Sequence, residues 1–253
     1  LTRSVDDVIV YMRELSKYTQ TLTHLDWSDA YVRSADGVKG MNIAVSKNLD
    51  GVVDFVDEAV WSAVLRVASY LKSMGANVEF VEPPLSRTKK NYYECVGKIW
   101  AISMRGYGEY VRKFAGGKYK HLVDPGLLEV IERGQKVKDI NEVVEIAQIR
   151  DEVKQIMKQF HRKYDLLITA TCATLPVEAL SYTQDGWMKD RRRGNMVRLL
   201  DCYHSNLAFT SLLNFTGQPA LTMPCGYKKS ENGQIPIGVQ LIGATDTDNV
   251  VLR

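Results

Sequence analysis

Residues 213–226 read LNFTGQPALTMPCG, and residues 234–243 read QIPIGVQLIG. Each block contains a short apolar run of strand length, at 219–224 and at 237–242, and prolines bound the first run. Asn232-Gly233 between the runs is typical of a hairpin turn. The pattern predicts a helix over residues 195–213, a turn at Asn214, and two successive strands. Gly238 would allow close backbone approach in the second strand.

A strand–helix–strand unit is predicted nearer the N-terminal end of the chain. Residues 41–45 and 78–81 are short apolar runs, and Pro83-Pro84 ends the second one. A helix between them is predicted to start at Asp54 or Asp57 and to end at Gly75. Its apolar residues recur at spacings of three and four: Val60, Val64, Val67, Leu71 and Met74. Such a unit builds a parallel sheet.

The remaining segments complete an α/β pattern. Ser4 is expected to cap a first helix, and longer helices are predicted over residues 89–114 and 141–162. Residues 164–170 form another predicted strand, and residues 171–193 are expected to be irregular. Because no repeat or flexible linker divides the sequence, a single domain over residues 1–253 is predicted.

Composition excludes several classes of function. The 33 Lys and Arg residues barely exceed the 30 Asp and Glu residues, so no nucleic-acid partner is expected. The cysteines are scattered without a CxxC pair and the histidines lack metal-ligand spacing, so neither a metal nor a cofactor is predicted. The cysteine pattern favours a reducing compartment, and no apolar run is long enough to cross a membrane; a cytoplasmic location is expected.

The two blocks at 213–226 and 234–243, in this order and spacing, closely resemble the C-terminal signature of the amidase signature family. Residues 1–7, 38–45 and 164–169 are similar to family segments that follow the catalytic region. The resemblance implies the C-terminal part of the amidase signature fold, a mixed β-sheet flanked by helices. Residues 1–253 are therefore expected to be a partial amidase domain, truncated at both ends.

The resemblance also implies a chemistry. Family members cleave amides with a lysine base, a relay serine and a nucleophilic serine, and all three would lie upstream of Leu1. No catalytic residue is therefore assigned to this chain, and the segment alone is not expected to be active. His204-Ser205 is no substitute, since adjacent helical residues point in different directions. The alternatives are an inactive binding or scaffold module and an amidotransferase A-type subunit.

The expected contribution of this segment is the acyl-side wall of the substrate pocket. By the resemblance, Thr171 and Cys172 follow a strand that leads to the pocket, and Thr210 and Leu213 lie on a substrate-facing helix; core packing is the equal alternative for each. Leu207 stands where amidotransferases carry an acidic residue, which favours an apolar acyl group. The expected partners are a small-molecule or lipid-like amide and the upstream catalytic half, with a homodimer as an open alternative.

Overall fold

Three parallel strands form one side of the sheet. In the computed structural model, β1 (Asn42–Val45) pairs in parallel with β2 (Asn77–Phe80) and, on its other side, with β3 (Leu166–Ala170). α2 (Glu58–Ser73) connects β1 to β2, which confirms the predicted strand–helix–strand unit. The structure describes residues 2–19, 37–88, 92–115, 125–176, 187–189, 196–230 and 233–252.

A long hairpin forms the other side of the sheet. The strands β6 (Ala220–Ser230) and β7 (Gly233–Gly243) pair antiparallel, and β7 also pairs antiparallel with β3. The sheet order is therefore β2-β1-β3-β7-β6. Both hairpin strands are longer than predicted because pairing resumes beyond a β-bulge between Pro224 and Tyr227. The predicted mixed α/β architecture is confirmed.

β3 is the central strand of this sheet, and all five of its residues are buried. This explains its unbroken apolar sequence, because a strand covered on both faces has no solvent-facing positions to alternate with. The largest core cluster includes residues of β1, β3 and β7 together with apolar side chains of α2, α5 (Ile140–Phe160) and α6 (Leu199–Thr216). The sheet is thus packed between helices.

Other helices complete the described fold. They are α1 (Val5–Ser16), α3 (Tyr92–Ala115), α4 (Pro125–Lys136) and α7 (Asp248–Leu252), and a 3₁₀ turn spans Leu85–Arg87. The Ser4 hydroxyl caps α1 by accepting from the Asp7 N–H at 3.2 Å, as predicted. Asp57, and not Asp54, caps α2 by accepting from the Ala59 N–H at 2.8 Å. The positive φ of Gly75, 94°, lies just beyond the end of α2.

The structure corrects two boundaries and one turn. α6 continues to Thr216, so Asn214 is helical, and the residue with positive φ after the helix is Gly217, at 80°. Residues 171–193 were expected to be irregular, but β4 (Trp187–Lys189) pairs antiparallel with β5 (Met196–Arg198). The helix predicted from residue 195 therefore begins only at Leu199, because residues 196–198 are extended in this pair. α4 has no counterpart in the predictions; Gly134 in its interior is unfavourable for a helix.

Candidate functional site

The carboxyl edge of the parallel strands holds the first pair of predicted site residues. Thr171 and Cys172 directly follow β3, so they lie at the same edge as the loops after β1 and β2. The Asp57 N–H donates to the Ala173 carbonyl at 2.8 Å, which fastens this segment to the start of α2. Thr171 is half-buried and Cys172 is exposed. Both residues are accessible at the rim of the sheet in the described part of the chain.

The loops after β1 and β2 are held together at this edge by one carboxylate. Glu82 accepts hydrogen bonds from the Lys47 N–H at 2.8 Å, from the Asp50 N–H at 3.1 Å, and from the Ser46 hydroxyl. Backbone donors fixed by a carboxylate in this way make a rigid turn. These hydrogen bonds order the loops after β1 and β2, which lie at the same edge of the sheet as Thr171.

Thr171 contacts a residue that the sequence did not nominate. Its N–H donates to the Gly238 carbonyl at 3.2 Å, and its hydroxyl lies 3.2 Å from the hydroxyl of Thr222 on β6. A Cβ at Gly238 would lie 2.8 Å from Thr171 Oγ1 and 3.1 Å from Thr222 Cγ2. Gly238 is therefore required by these two side chains, whereas the predicted reason was backbone approach.

A second polar contact lies deeper on the same strands. Gln240 Nε2 donates to Thr169 Oγ1 at 3.2 Å, and both side chains are buried. The Thr169 hydroxyl in turn donates to the Ala170 carbonyl at 2.9 Å. Because Thr169 pairs with Gln240 and Thr222 also pairs with Gln240, these side chains share one face of the sheet. A polar row thus runs from the core to the rim.

The second predicted pair lies on α6. Thr210 and Leu213 are one turn apart, so they lie on the same side of the helix. Thr210 is half-buried, and its hydroxyl donates to the Leu207 carbonyl at 3.2 Å. Leu213 is only 8% exposed and belongs to the main core cluster. Among the described residues, no hydrogen bond joins this pair to Thr171 or Cys172.

The side of α6 that carries Thr210 also reaches the surface. Leu207 is 42% exposed, and Asn214, one turn beyond Thr210, is exposed as well. An exposed leucine beside a half-buried threonine makes a mixed, largely uncharged strip. An acidic residue at Leu207 would have placed a carboxylate on this strip, so its absence sets the polarity of this side of the helix.

Cys172 does not have the surroundings of a nucleophile. Although the residue as a whole is exposed, partial desolvation of its thiol raises the pKa of that group, so this position does not favour the thiolate. Burial also raises the pKa of the Cys225 thiol on β6. The side chains of His204 and Ser205 lie outside the described part of the structure. In the ranges that are described, no group of three or more His, Cys, Asp or Glu could hold a metal.

A groove on the described surface lies elsewhere. It measures about 720 Å³ and runs between α5 and the segment after β2. None of Thr171, Cys172, Thr210 or Leu213 lines it; its walls are Pro84, Arg87, Glu152, Gln155, Ile156, Gln159, Phe160, Lys163 and Tyr164. The groove and the predicted site are therefore separate features.

Residues missed by the sequence reasoning are Thr222 and Gln240. Both stand in the quoted blocks, and alternation along each strand could have placed them on one face. Their contacts with Thr171 and Thr169 join residues that are 51 and 71 positions apart in sequence, and they depend on the register of β7 against β3 and β6.

No helix among the described residues combines the length and apolar character that a membrane span requires.

The family model for Amidase matches residues 1–252. A similar curated protein is the A-type subunit of glutamyl-tRNA(Gln) amidotransferase from Bacillus licheniformis. The two are 24% identical over an alignment of 278 positions, which covers 100% of this chain and 52% of that protein. Its counterpart from Alkaliphilus metalliredigens is 23% identical over 250 residues, covering 89% and 45%. The chain spans about half the length of the curated relatives it matches.

Solved structures agree in fold. A bacterial aryl acylamidase of the amidase signature family superposes with a TM-score of 0.69 at 22% identity, covering 90% of this chain and 44% of that chain. The 6-aminohexanoate cyclic dimer hydrolase, complexed with substrate, gives a TM-score of 0.67 at 20% identity, with coverages of 87% and 46%. Since the family model extends over nearly the whole sequence, the chain belongs to the amidase signature family.

Proposed function

We propose that this chain is part of an amidase that hydrolyses a carboxamide C–N bond, and that it supplies the acyl-side wall of the substrate pocket. The observation that carries the proposal is the match of the family model over residues 1–252. Since the chain spans about half of its curated relatives, we place the catalytic lysine and two serines in a preceding part of the same protein.

The chemistry requires both parts. A neutral lysine would accept the proton of the relay serine, the relay serine would accept that of the nucleophilic serine, and the serine oxygen would attack the amide carbonyl. The proton would then pass to the leaving nitrogen, so that the C–N bond breaks, the amine leaves and the acyl group stays on the serine as an ester; a water molecule would cleave this ester, release the acid and restore the serine. Backbone N–H groups of the upstream part would stabilise the oxyanion.

The substrate-binding residues in this proposal are Thr171 and Cys172 after β3, and Thr210 and Leu213 on α6. The first two are supported by their place at the carboxyl edge of the sheet, where open α/β sheets bind ligands. Thr210 is supported by its partial exposure. Leu213 is buried here, so in this proposal it would pack beneath the pocket wall that Thr210 forms. The exposed Leu207 supports an acyl group that is largely apolar.

An amidotransferase component is the second candidate, because the two curated relatives above are A-type subunits of glutamyl-tRNA(Gln) amidotransferase. That function would require partner chains and a binding group for the substrate's amino group. Leu207 offers no such charge, which favours the amidase. A binding or scaffold module without catalysis is the third candidate, and it would need no upstream serine.

Release of ammonia or amine by the complete protein tests the proposal. The assay would compare aliphatic and aromatic carboxamides with glutamine as substrate, and wild-type protein with a variant in which the upstream nucleophilic serine is alanine. We expect hydrolysis of the apolar amides and its loss in the variant. Activity that survives the serine substitution, or that appears only with glutamine and partner chains, would contradict the proposal.

A further inference from the structure

We infer that the hydroxyl pair of Thr171 and Thr222 binds an acceptor oxygen in the acyl part of the substrate. The inference rests on the proposed function and narrows its substrate class. An ether, hydroxyl or carbonyl oxygen, carried by an otherwise apolar acyl group, would complete the hydrogen bonding of the pair. This oxygen is distinct from that of the amide to be cleaved.

The count of donors and acceptors supports this role. Two threonine hydroxyls carry two protons, and a single hydrogen bond, 3.2 Å long, joins them. Whichever hydroxyl donates to the other, one O–H remains. Among the described residues, neither hydroxyl has a further hydrogen-bond partner, and Thr222 is exposed. The remaining proton is therefore available to a ligand at the rim of the sheet.

Neighbouring threonines differ in this respect. The hydroxyls of Thr169, Thr210 and Thr216 each donate to a main-chain carbonyl, at 2.9, 3.2 and 3.0 Å. A hydroxyl bound in this way has already used its only proton. The pair at the end of β3 is thus distinguished by chemistry as well as by position.

The pair is also held in place before any ligand arrives. The Thr171 N–H is bound to the Gly238 carbonyl, and both side chains lie over Gly238, where a Cβ would be within 3.2 Å of each. The hydrogen bond between the two hydroxyls restricts their side-chain rotamers. A donor that is fixed beforehand loses little entropy on binding, so even one neutral hydrogen bond can discriminate between substrates.

A matched pair of amides tests the inference in the complete protein. One amide would carry an ether oxygen in its acyl chain, and the other a methylene group at the same position. The kcat/KM ratio of ether to methylene substrate is measured for wild type, for the double variant Thr171→Val/Thr222→Val and for Thr222→Ser. Thr2→Val serves as control, since the exposed Thr2 hydroxyl donates to the Ser4 carbonyl at 3.1 Å.

We expect wild type to prefer the ether amide, and the preference to fall roughly 3- to 10-fold in the double valine variant, the size of one neutral hydrogen bond, since a single valine would still leave one free O–H. Thr222→Ser and Thr2→Val should keep it. Continued hydrolysis of the methylene amide shows that a variant is folded. The inference fails if the double valine variant does not lower the ratio while still hydrolysing that amide. If wild type hydrolyses neither amide, the proposed function fails as well.

Discussion

Substituting Gly238 by alanine should destabilise the protein because two threonine side chains occupy the space that the new methyl group needs. The added Cβ would lie 2.8 Å from Thr171 Oγ1, 3.2 Å from Thr171 Cβ and 3.1 Å from Thr222 Cγ2. Overpacking of this kind costs about 1–3 kcal/mol. Since Gly238 has no positive φ, alanine gains about 0.4–1 kcal/mol from the unfolded chain. The net loss is expected to be about 1–2 kcal/mol.

Urea unfolding of the complete protein measures this loss as a lower midpoint for Gly238→Ala. Gly97→Ala is the matched control: among the described residues, no atom beyond its chain neighbours and the local helix backbone would lie within 4 Å of an added Cβ. Because the position is inside α3, a gain of about 0.5–1 kcal/mol is expected. Thr171→Ala removes the nearest contact and should recover roughly 1 kcal/mol in the Gly238→Ala background. A Gly238→Ala protein as stable as wild type would refute the packing argument.

Three further predictions concern a buried hydrogen bond, a helix cap and a buried histidine. Thr169→Val should cost about 1–3 kcal/mol in urea unfolding by leaving the buried Gln240 amide without its partner, and adding Gln240→Leu should recover part of that loss. Asp57→Ala should cost about 1 kcal/mol by uncapping α2, whereas Asp57→Asn should cost less; equal losses would contradict a cap. Burial lowers the pKa of His161 below its usual 6.5, so the unfolded chain binds the proton first as the pH falls. The free energy of unfolding should therefore decrease as the pH drops below about 6.5. In thermal melts between about pH 7 and 5, His161→Gln should reduce the dependence of the melting temperature on pH.

Local signals in the sequence were enough for most of the sheet. Gly75 and Pro83-Pro84 mark the ends of α2 and β2, and the apolar run in residues 164–170 predicted β3 within two residues of its observed start. These signals work because each element is bounded by a residue whose backbone or ring ends it. The order of strands required more, since an antiparallel β7 between β3 and β6 is a matter of long-range pairing.

α4 shows where local propensity is overridden. Gly134 is unfavourable in a helix, yet a Cβ there would lie 1.9 Å from the Ala101 carbonyl oxygen of α3. Likewise, a Cβ at Gly108 of α3 would lie 2.5 Å from Ile131 Cγ2 of α4. The glycines permit a close helix–helix contact that stabilises α4. Such a reason exists only in the packed structure.

The candidate site was predictable in part. The resemblance nominated Thr171 and Cys172 after a strand, and the structure places them at the carboxyl edge of the sheet. The partner hydroxyl of Thr222 lies 51 residues away and faces Thr171 only through the strand register. Leu213 was nominated by its position on the helix, but the structure buries it. Position on a helix does not distinguish a residue of the pocket wall from a residue of the core.

A crystal structure of the complete protein, trapped as an acyl-enzyme with a slowly hydrolysed amide, tests the central claim most directly. The claim is that this chain forms the acyl-side wall of the pocket. It predicts an acyl group covalently bound to an upstream serine and lying within about 4 Å of Thr171 and Thr210. An acyl group that contacts neither of them, or a covalent bond to a residue of this chain, would contradict it.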